Sequence, residues 1–336
     1  MFYAVLLPVL VMSAITAVAI GSTPLAWQTI VKVLALKAGF SVTGVSATDE
    51  LVVWAIRIPR MLVAAAVGAG LGTAGAILQG LFRNPLAEPG LMGIGPGAAL
   101  GGVLAFVTGL SAKSVLPLPF LAMSGALLSL ALVYAMSTRG GVTPMATMLL
   151  AGVATGSFVS ALTSLLVTLN VANWQIAQEV MFWMMGGLDA RTWTHFWLCG
   201  PFVMAGLVAG LIEARELDLL MQGEETAASL GVDVEASKRT LILTVAVITG
   251  ACVAVAGMIG FVGLLAPHAV RLLLGPSHRV VLPASALGGA VFLILCDLVA
   301  RTVHPPTEIR LGVVTALCGG PFFLALLMRH YRKASL

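Results

Sequence analysis

The chain has 336 residues, of which 59% are hydrophobic and 10% charged, and its net charge is +4 at neutral pH. Soluble domains carry about 25% charged residues, so this composition excludes an ordinary soluble globule, and a small, dispersed positive charge excludes nucleic acid as a partner. A backbone in hydrocarbon must satisfy its own hydrogen bonds, and alternating strand patterns are absent, so the chain reads as an all-α polytopic membrane protein rather than a barrel.

Apolar stretches bounded by Gly, Pro or charge predict about ten spans. They cover residues 2–21, 57–81, 93–110, 115–137, 143–169, 193–213, 239–259, 261–274, 280–303 and 308–329, in one domain running 1–336. The first stretch lacks a basic leader, so it reads as a span and not as a signal peptide. The stretch 261–274 is too short to cross by itself. It is expected to form a broken element with its predecessor around Gly257, Gly260 and Gly263. Two polar excursions remain, 22–56 and 170–192, and the second predicts a short surface helix.

Half of the acidic residues, seven of 14, lie between Glu213 and Glu235. Such an island cannot lie in hydrocarbon, so it stands in water where a soluble partner can reach it. Placing the N-terminus inside leaves ten basic side chains on the inner side and eight on the outer, with the Arg329–Lys333 cluster inside. That bias puts the acidic island in the cytoplasm. A faint internal echo accompanies it. Ala74-Gly75 precedes Pro85 as Ala256-Gly257 precedes Pro267, and Ala99-Leu-Gly-Gly102 resembles Ala286-Leu-Gly-Gly289. Opposite starting sides would suit an inverted repeat.

Gly70-Leu-Gly72-Thr-Ala-Gly75 matches a dinucleotide fingerprint but lies inside an apolar span with no strand before it, so it does not bind nucleotide. Gly68, Gly72 and Gly75 instead form a small-residue face for close helix contact. No GxxxxGK[ST] occurs, so any ATP that drives this protein is hydrolysed by another chain. The loop Arg83-Asn-Pro-Leu-Ala-Glu-Pro-Gly90 is a rigid turn, either a plain connector or a cytoplasmic element beside the acidic island. Arg57, Arg60 and Arg301 crowd the outer side, against the charge bias. Snorkelling is one reading; a docking surface for an acidic partner is the other. Asp297 is expected to pair with Arg301 at i,i+4. His268 after Pro267 reads as a turn-capping side chain rather than a ligand. The four cysteines, Cys199, Cys252, Cys296 and Cys318, are scattered and imply neither a disulfide framework nor a metal site.

Five blocks then resemble one family in the right order. They are Arg57-Ile-Pro-Arg60, Gly75 to Gly90, Gly223-Glu-Glu-Thr-Ala-Ala-Ser-Leu-Gly231, Gly257 to His268, and Gly312 to Phe323. Together they are similar to the FecCD-type permeases of type II ABC importers, which carry ferric siderophores, haem and vitamin B12. The resemblance implies ten helices in the type II permease fold with a pseudo-inverted repeat, a homodimer with a central pathway, and a multi-pass place in the bacterial inner membrane. It implies two cytoplasmic ABC ATPases, which use the ATP, and a periplasmic substrate-binding protein; no covalently bound cofactor is expected. The ATPases would engage a coupling segment at 216–237, with Gly223, Glu224, Glu225, Ala228, Leu230 and Gly231 at its centre. Acidic residues of the binding protein would meet Arg57, Arg60 and Arg301. The chain departs from the family where Arg310 replaces a proline, which adds a fourth arginine to that surface, and where Cys318 replaces an aliphatic residue.

The expected function is therefore that of a non-catalytic permease subunit importing an iron chelate, ferric siderophore or haem, with cobalamin as the alternative. Thr163, Ser164 and Thr168 are the candidate pathway residues. A secondary transporter coupled to an ion would need an intramembrane carboxylate to carry it, and only Asp297 qualifies.

Overall fold

A computed structural model describes residues 2–21, 25–170 and 173–334. Among these the regular structure is helical, with one isolated bridge between Arg139 and Val142. The first half holds α1 (Phe2–Ala19), α2 (Trp27–Lys37), α3 (Ala47–Glu50), α4 (Ile58–Leu81), α5 (Ile94–Val107), α6 (Leu110–Lys113), α7 (Pro117–Ser137) and α8 (Met145–Leu169). After α9 (Trp174–Met184) come α10 (Trp193–Ile212), α11 (Ala214–Leu220), α12 (Glu224–Ser229), α13 (Val234–Ala256), α14 (Val262–Leu274), α15 (His278–Thr302) and α16 (Leu311–Ala334). Six helices are long and apolar enough to cross a membrane, and four shorter apolar helices occupy the other predicted spans.

The centre of the bundle is α4, α13 and α15. Their apolar windows are 72%, 78% and 67% buried, against 33%, 33% and 28% for α7, α8 and α10, which therefore form its outside. Apolar side chains gain nothing by leaving lipid for protein, so close contact of backbones drives this packing. The glycine face expected on α4 provides it. A Cβ on Gly68 would lie 2.2 Å from the Gly289 carbonyl oxygen, one on Gly72 2.3 Å from that of Ser285, and one on Gly75 1.8 Å from that of Gly263. Only hydrogen fits at these crossings of α4 with α15 and with the start of α14.

The second span of each half packs on the fourth of the other: α4 on α15, and α13 on α7. The Ala74-Gly75 and Ala256-Gly257 echo thus falls on equivalent helices. The Ala99 and Ala286 echo does not, since α5 is a third span and α15 a fourth. Those two sequences agree because each serves a close crossing, Gly101 against Leu121 and Gly289 against Gly68.

The expected break separates α13 from α14. Gly257 and Phe261 both take positive φ, +71° and +69°, so the chain leaves one helix and re-enters the next without crossing. Pro59 lacks the N–H that would close the turn before it, and Leu51–Arg57 is wound as a π-helix leading into α4. The surface helix expected in 170–192 is α9. In 22–56 the structure adds α2, whose Val33 packs with Val18, Val53 and Ile58 in a small second core. That helix is short and its apolar pattern is interrupted by Lys32, which hides it in the sequence.

Candidate functional site

The polar side chains gather at two ends of the bundle. At the acidic end α11 and α12 form a short helical excursion. Gly223 starts α12 at φ +128° and Gly231 ends its turn at +85°, conformations that favour glycine. Ala227 is fully buried and anchors α12, while Glu225, Ala228, Leu230 and Gly231 stay exposed. The exposed set is a small, partly apolar knob on a rigid base.

Glu224 is not part of that knob. Its carboxylate accepts from Lys238 Nζ at 2.6 Å, and Lys238 is 1% exposed. The same ammonium donates to Glu235 at 2.9 Å and to the Thr143 carbonyl at 3.1 Å, and Glu235 accepts from the Thr143 N–H at 3.1 Å. One lysine thus ties α12, the start of α13 and the α7–α8 turn into a clamp. A buried ammonium is tolerated only with such partners.

A second chain of contacts leaves α11. Asp218 accepts from the His278 backbone N–H at 2.9 Å and pairs with His278 Nδ1 at 2.6 Å. His278 Nε2 lies 3.1 Å from the Arg271 guanidinium, which also donates to the Ala76 carbonyl at 3.0 Å and to Gln79. Gln79 donates in turn to the carbonyls of Gly263 and Leu264, just beyond the helix break. The loop Arg83–Gly90 sits beside the island, with the Arg83 guanidinium 4.0 Å from where a Gly223 Cβ would stand. Burial raises the Glu88 carboxyl in that loop above its usual range, and a hydrogen bond from the Phe261 backbone opposes the shift.

At the other end lie the arginines, set differently from the sequence expectation. Arg57 is 6% exposed and donates to the carbonyls of Val18 and Ala19, both at 2.8 Å. Arg60 forks onto two carboxylates at once, Asp297 at 2.8 Å and Glu308 at 2.7 Å. Arg301 pairs with Asp297 at 3.4 Å, as expected from their spacing, and donates to the Ala17 carbonyl. Arg310 pairs with Asp189 and stacks 4.1 Å over the Phe182 ring. All four thus have partners within the chain, because an arginine turned inward needs acceptors. Asp297 is held by two arginines, which leaves it a poor carrier for a coupling ion.

Elsewhere the placements are mixed. Thr163 is buried and its hydroxyl bonds back to the Val159 carbonyl at 2.9 Å, whereas Ser164 and Thr168 lie on the exposed side of α8. The three do not share one face. His268 lies edge-on to Phe322 with centroids 6.4 Å apart and, among the described residues, caps no carbonyl. Cys199 and Cys252, far apart in sequence, meet with sulfurs 4.0 Å apart, both buried. Lys238 escaped the sequence reading, although Glu235 three residues before it is a visible i,i+3 partner. Asp218 and His278 are separated by 60 residues and leave no local signal.

Comparison with known proteins follows the same lines. The sequence model of the FecCD transport family matches residues 9–329. The cobalamin import system permease protein BtuC of Halobacterium salinarum is 46% identical over 284 residues, covering 84% of this chain and 75% of that protein. The hemin transport system permease protein HmuU of Yersinia pestis is 40% identical over 283 residues, covering 83% and 84%. Among solved structures, an inward-facing metal-chelate type ABC transporter superposes with a TM-score of 0.86 at 31% identity, covering 98% of this chain and 99% of that one.

Proposed function

The chain belongs to the FecCD transport family, and from that premise we propose that it is the membrane-spanning permease of an importer driven by ATP on separate subunits. Two copies form the pathway in a bacterial inner membrane, two ABC ATPases engage the α12 knob, and a periplasmic binding protein delivers a metal chelate to the arginine end. The carrying observation is the acidic end itself. An exposed knob of Glu225, Ala228 and Leu230 stands on a base that Lys238 ties to the start of α13 and to the α7–α8 turn. A partner that grips the knob can therefore move α13 and the start of α8 as one piece. The Asp218–His278–Arg271–Gln79 chain supports the same role, since it leads from α11 to the α13–α14 break.

For the cargo we take cobalamin first, because the relative at 46% identity is named for cobalamin. The iron-chelate expectation remains the second reading, supported by the haemin permease at 40%. Proteoliposomes containing the chain, its ATPase and its binding protein decide between them. ATP-dependent uptake of labelled cyanocobalamin, with none of haemin or ferric hydroxamate, supports the first reading. Uptake of an iron chelate alone replaces it with the second. ATP-independent uptake driven by an ion gradient would overturn the importer reading.

A further inference from the structure

The small second core underlies an apolar groove that the importer reading leaves unused. Val18 and Ile58 of that core form its floor. Ala14 and Ile15 of α1, Val31 and Leu34 of α2, and Met61 of α4 form its walls. Its volume is about 390 Å³, and among the described residues only apolar side chains line it. It lies at the arginine end, where Arg57 donates to the Val18 and Ala19 carbonyls and Arg301 to that of Ala17.

Two features place the groove at the edge of the hydrocarbon. One is aromatic. Trp54 and Trp193 pack on the second core with ring centroids 5.0 Å apart, and the Trp193 indole N–H donates to the Trp54 carbonyl at 2.8 Å. Trp27 stands exposed on the groove itself. Tryptophan concentrates at the membrane–water boundary, where the ring sits in apolar surroundings and the N–H in polar ones. The other is the pattern of α2. Trp27, Ile30, Val31 and Leu34 recur at helical spacing and line the groove, while Gln28 and Lys32 are exposed on the other side of the helix. Such a helix lies along the boundary with its polar face in water and its apolar face among acyl chains. Below α2 the groove runs on into the flank of α1. Leu7, Val11 and Ile15, four residues apart, form an exposed apolar stripe there.

Water finds no hydrogen-bond partner in a wholly apolar cavity, and packed proteins keep few voids of this size. We propose that the groove seats one acyl chain of a phospholipid from the leaflet at the arginine end. The carbons nearest the headgroup lie beneath α2, and the rest of the chain runs down Ile15, Val11 and Leu7 toward the bilayer centre. The groove opens along a lipid-facing stripe, and the polar face of α2 turns toward water, so lipid reaches it directly and a soluble partner does not. The seated chain completes the packing of α2 against α1 and α4. This needs only that the protein spans a membrane, so its failure leaves the importer reading standing.

The test is lipid retention. The full chain is reconstituted in phosphatidylcholine vesicles, re-extracted in maltoside detergent, washed to strip loosely held lipid, and weighed intact by native mass spectrometry. Wild type should keep a phosphatidylcholine molecule. A14F, which fills the groove, and V31D, which puts a carboxylate in it, should keep at least about ten-fold less, the effect of an overpacked or charged site. L128F, at an exposed position of α7 away from the groove, should keep as much as wild type. Val31 is itself exposed, so V31D decides the matter if A14F fails to fold. Adding phosphatidylcholine back to stripped protein should raise the melting temperature of wild type and not of V31D. A wild type that keeps no lipid, or variants that keep as much as wild type, overturn the proposal. Equal loss in L128F would reduce the retained lipid to a non-specific annulus and overturn it too. Loss of chain–chain association in V31D with lipid retained would assign the groove to a second copy of the chain and likewise overturn it.

Discussion

Lys238→Met removes the clamp at the acidic end while keeping most of the side-chain volume. In the wild type the ammonium is 1% exposed and holds Glu224, Glu235 and the Thr143 carbonyl within 3.1 Å. Deleting one partner of a buried ion pair costs about 3–5 kcal/mol. Here the carboxylates are 36% and 29% exposed and can rehydrate, which reduces the expected cost to about 2 kcal/mol. The loss should be local, because Ala227 and the core beneath it are untouched. Hydrogen exchange reads it directly: amides of α12 and of the Arg139–Thr143 turn should exchange about 30-fold faster, with α4 unchanged. In the assembled transporter the same variant should hydrolyse ATP with reduced transport per ATP. Unchanged exchange in α12 would refute the clamp, and unchanged stoichiometry would refute its part in coupling.

Three further outcomes are expected. Gly75→Ala should lower thermal stability by about 1–3 kcal/mol or more, because its Cβ would meet the Gly263 oxygen, whereas Gly288→Ala, with its nearest neighbour at 4.0 Å, should be neutral or slightly stabilising. Leu230→Asp, at a side chain 57% exposed, should weaken ATPase capture in co-purification while leaving the melting temperature close to wild type; equal capture would remove Leu230 from the contact. Burial pushes the Asp189 carboxyl up, but Arg310, a hydrogen bond with Glu308 and the charge of Arg60 together more than offset this and hold it below the usual range. Its stabilising contribution is therefore complete above the unfolded value of about 3.9 and fades as pH falls below it. The wild-type melting temperature should fall across that window more than that of Asp189→Asn, and parallel curves would show that the pair adds nothing.

Local signals were legible where local chemistry sets the structure. Gly257 announced the α13–α14 break because few other residues allow a chain to leave a helix at positive φ, whereas Phe261, which also takes positive φ there, gave no such sign. Asp297 and Arg301 were legible because four residues make one helical turn. Side-chain direction was not legible. Thr163 and Ser164 are adjacent, yet one is buried and the other exposed, since neighbours on a helix point about 100° apart.

Residue order by itself determined the class, the ten apolar segments, the acidic island and the family blocks. These follow from hydrophobic length and composition, which are sums along the chain. Only the tertiary structure decided which charges have partners. It took Arg57, Arg60, Arg301 and Arg310 into the chain and joined Lys238 to Glu224 and Thr143. Pairing depends on distances between residues up to hundreds of positions apart, such as Arg60 and Glu308, and those distances exist only once the helices have packed.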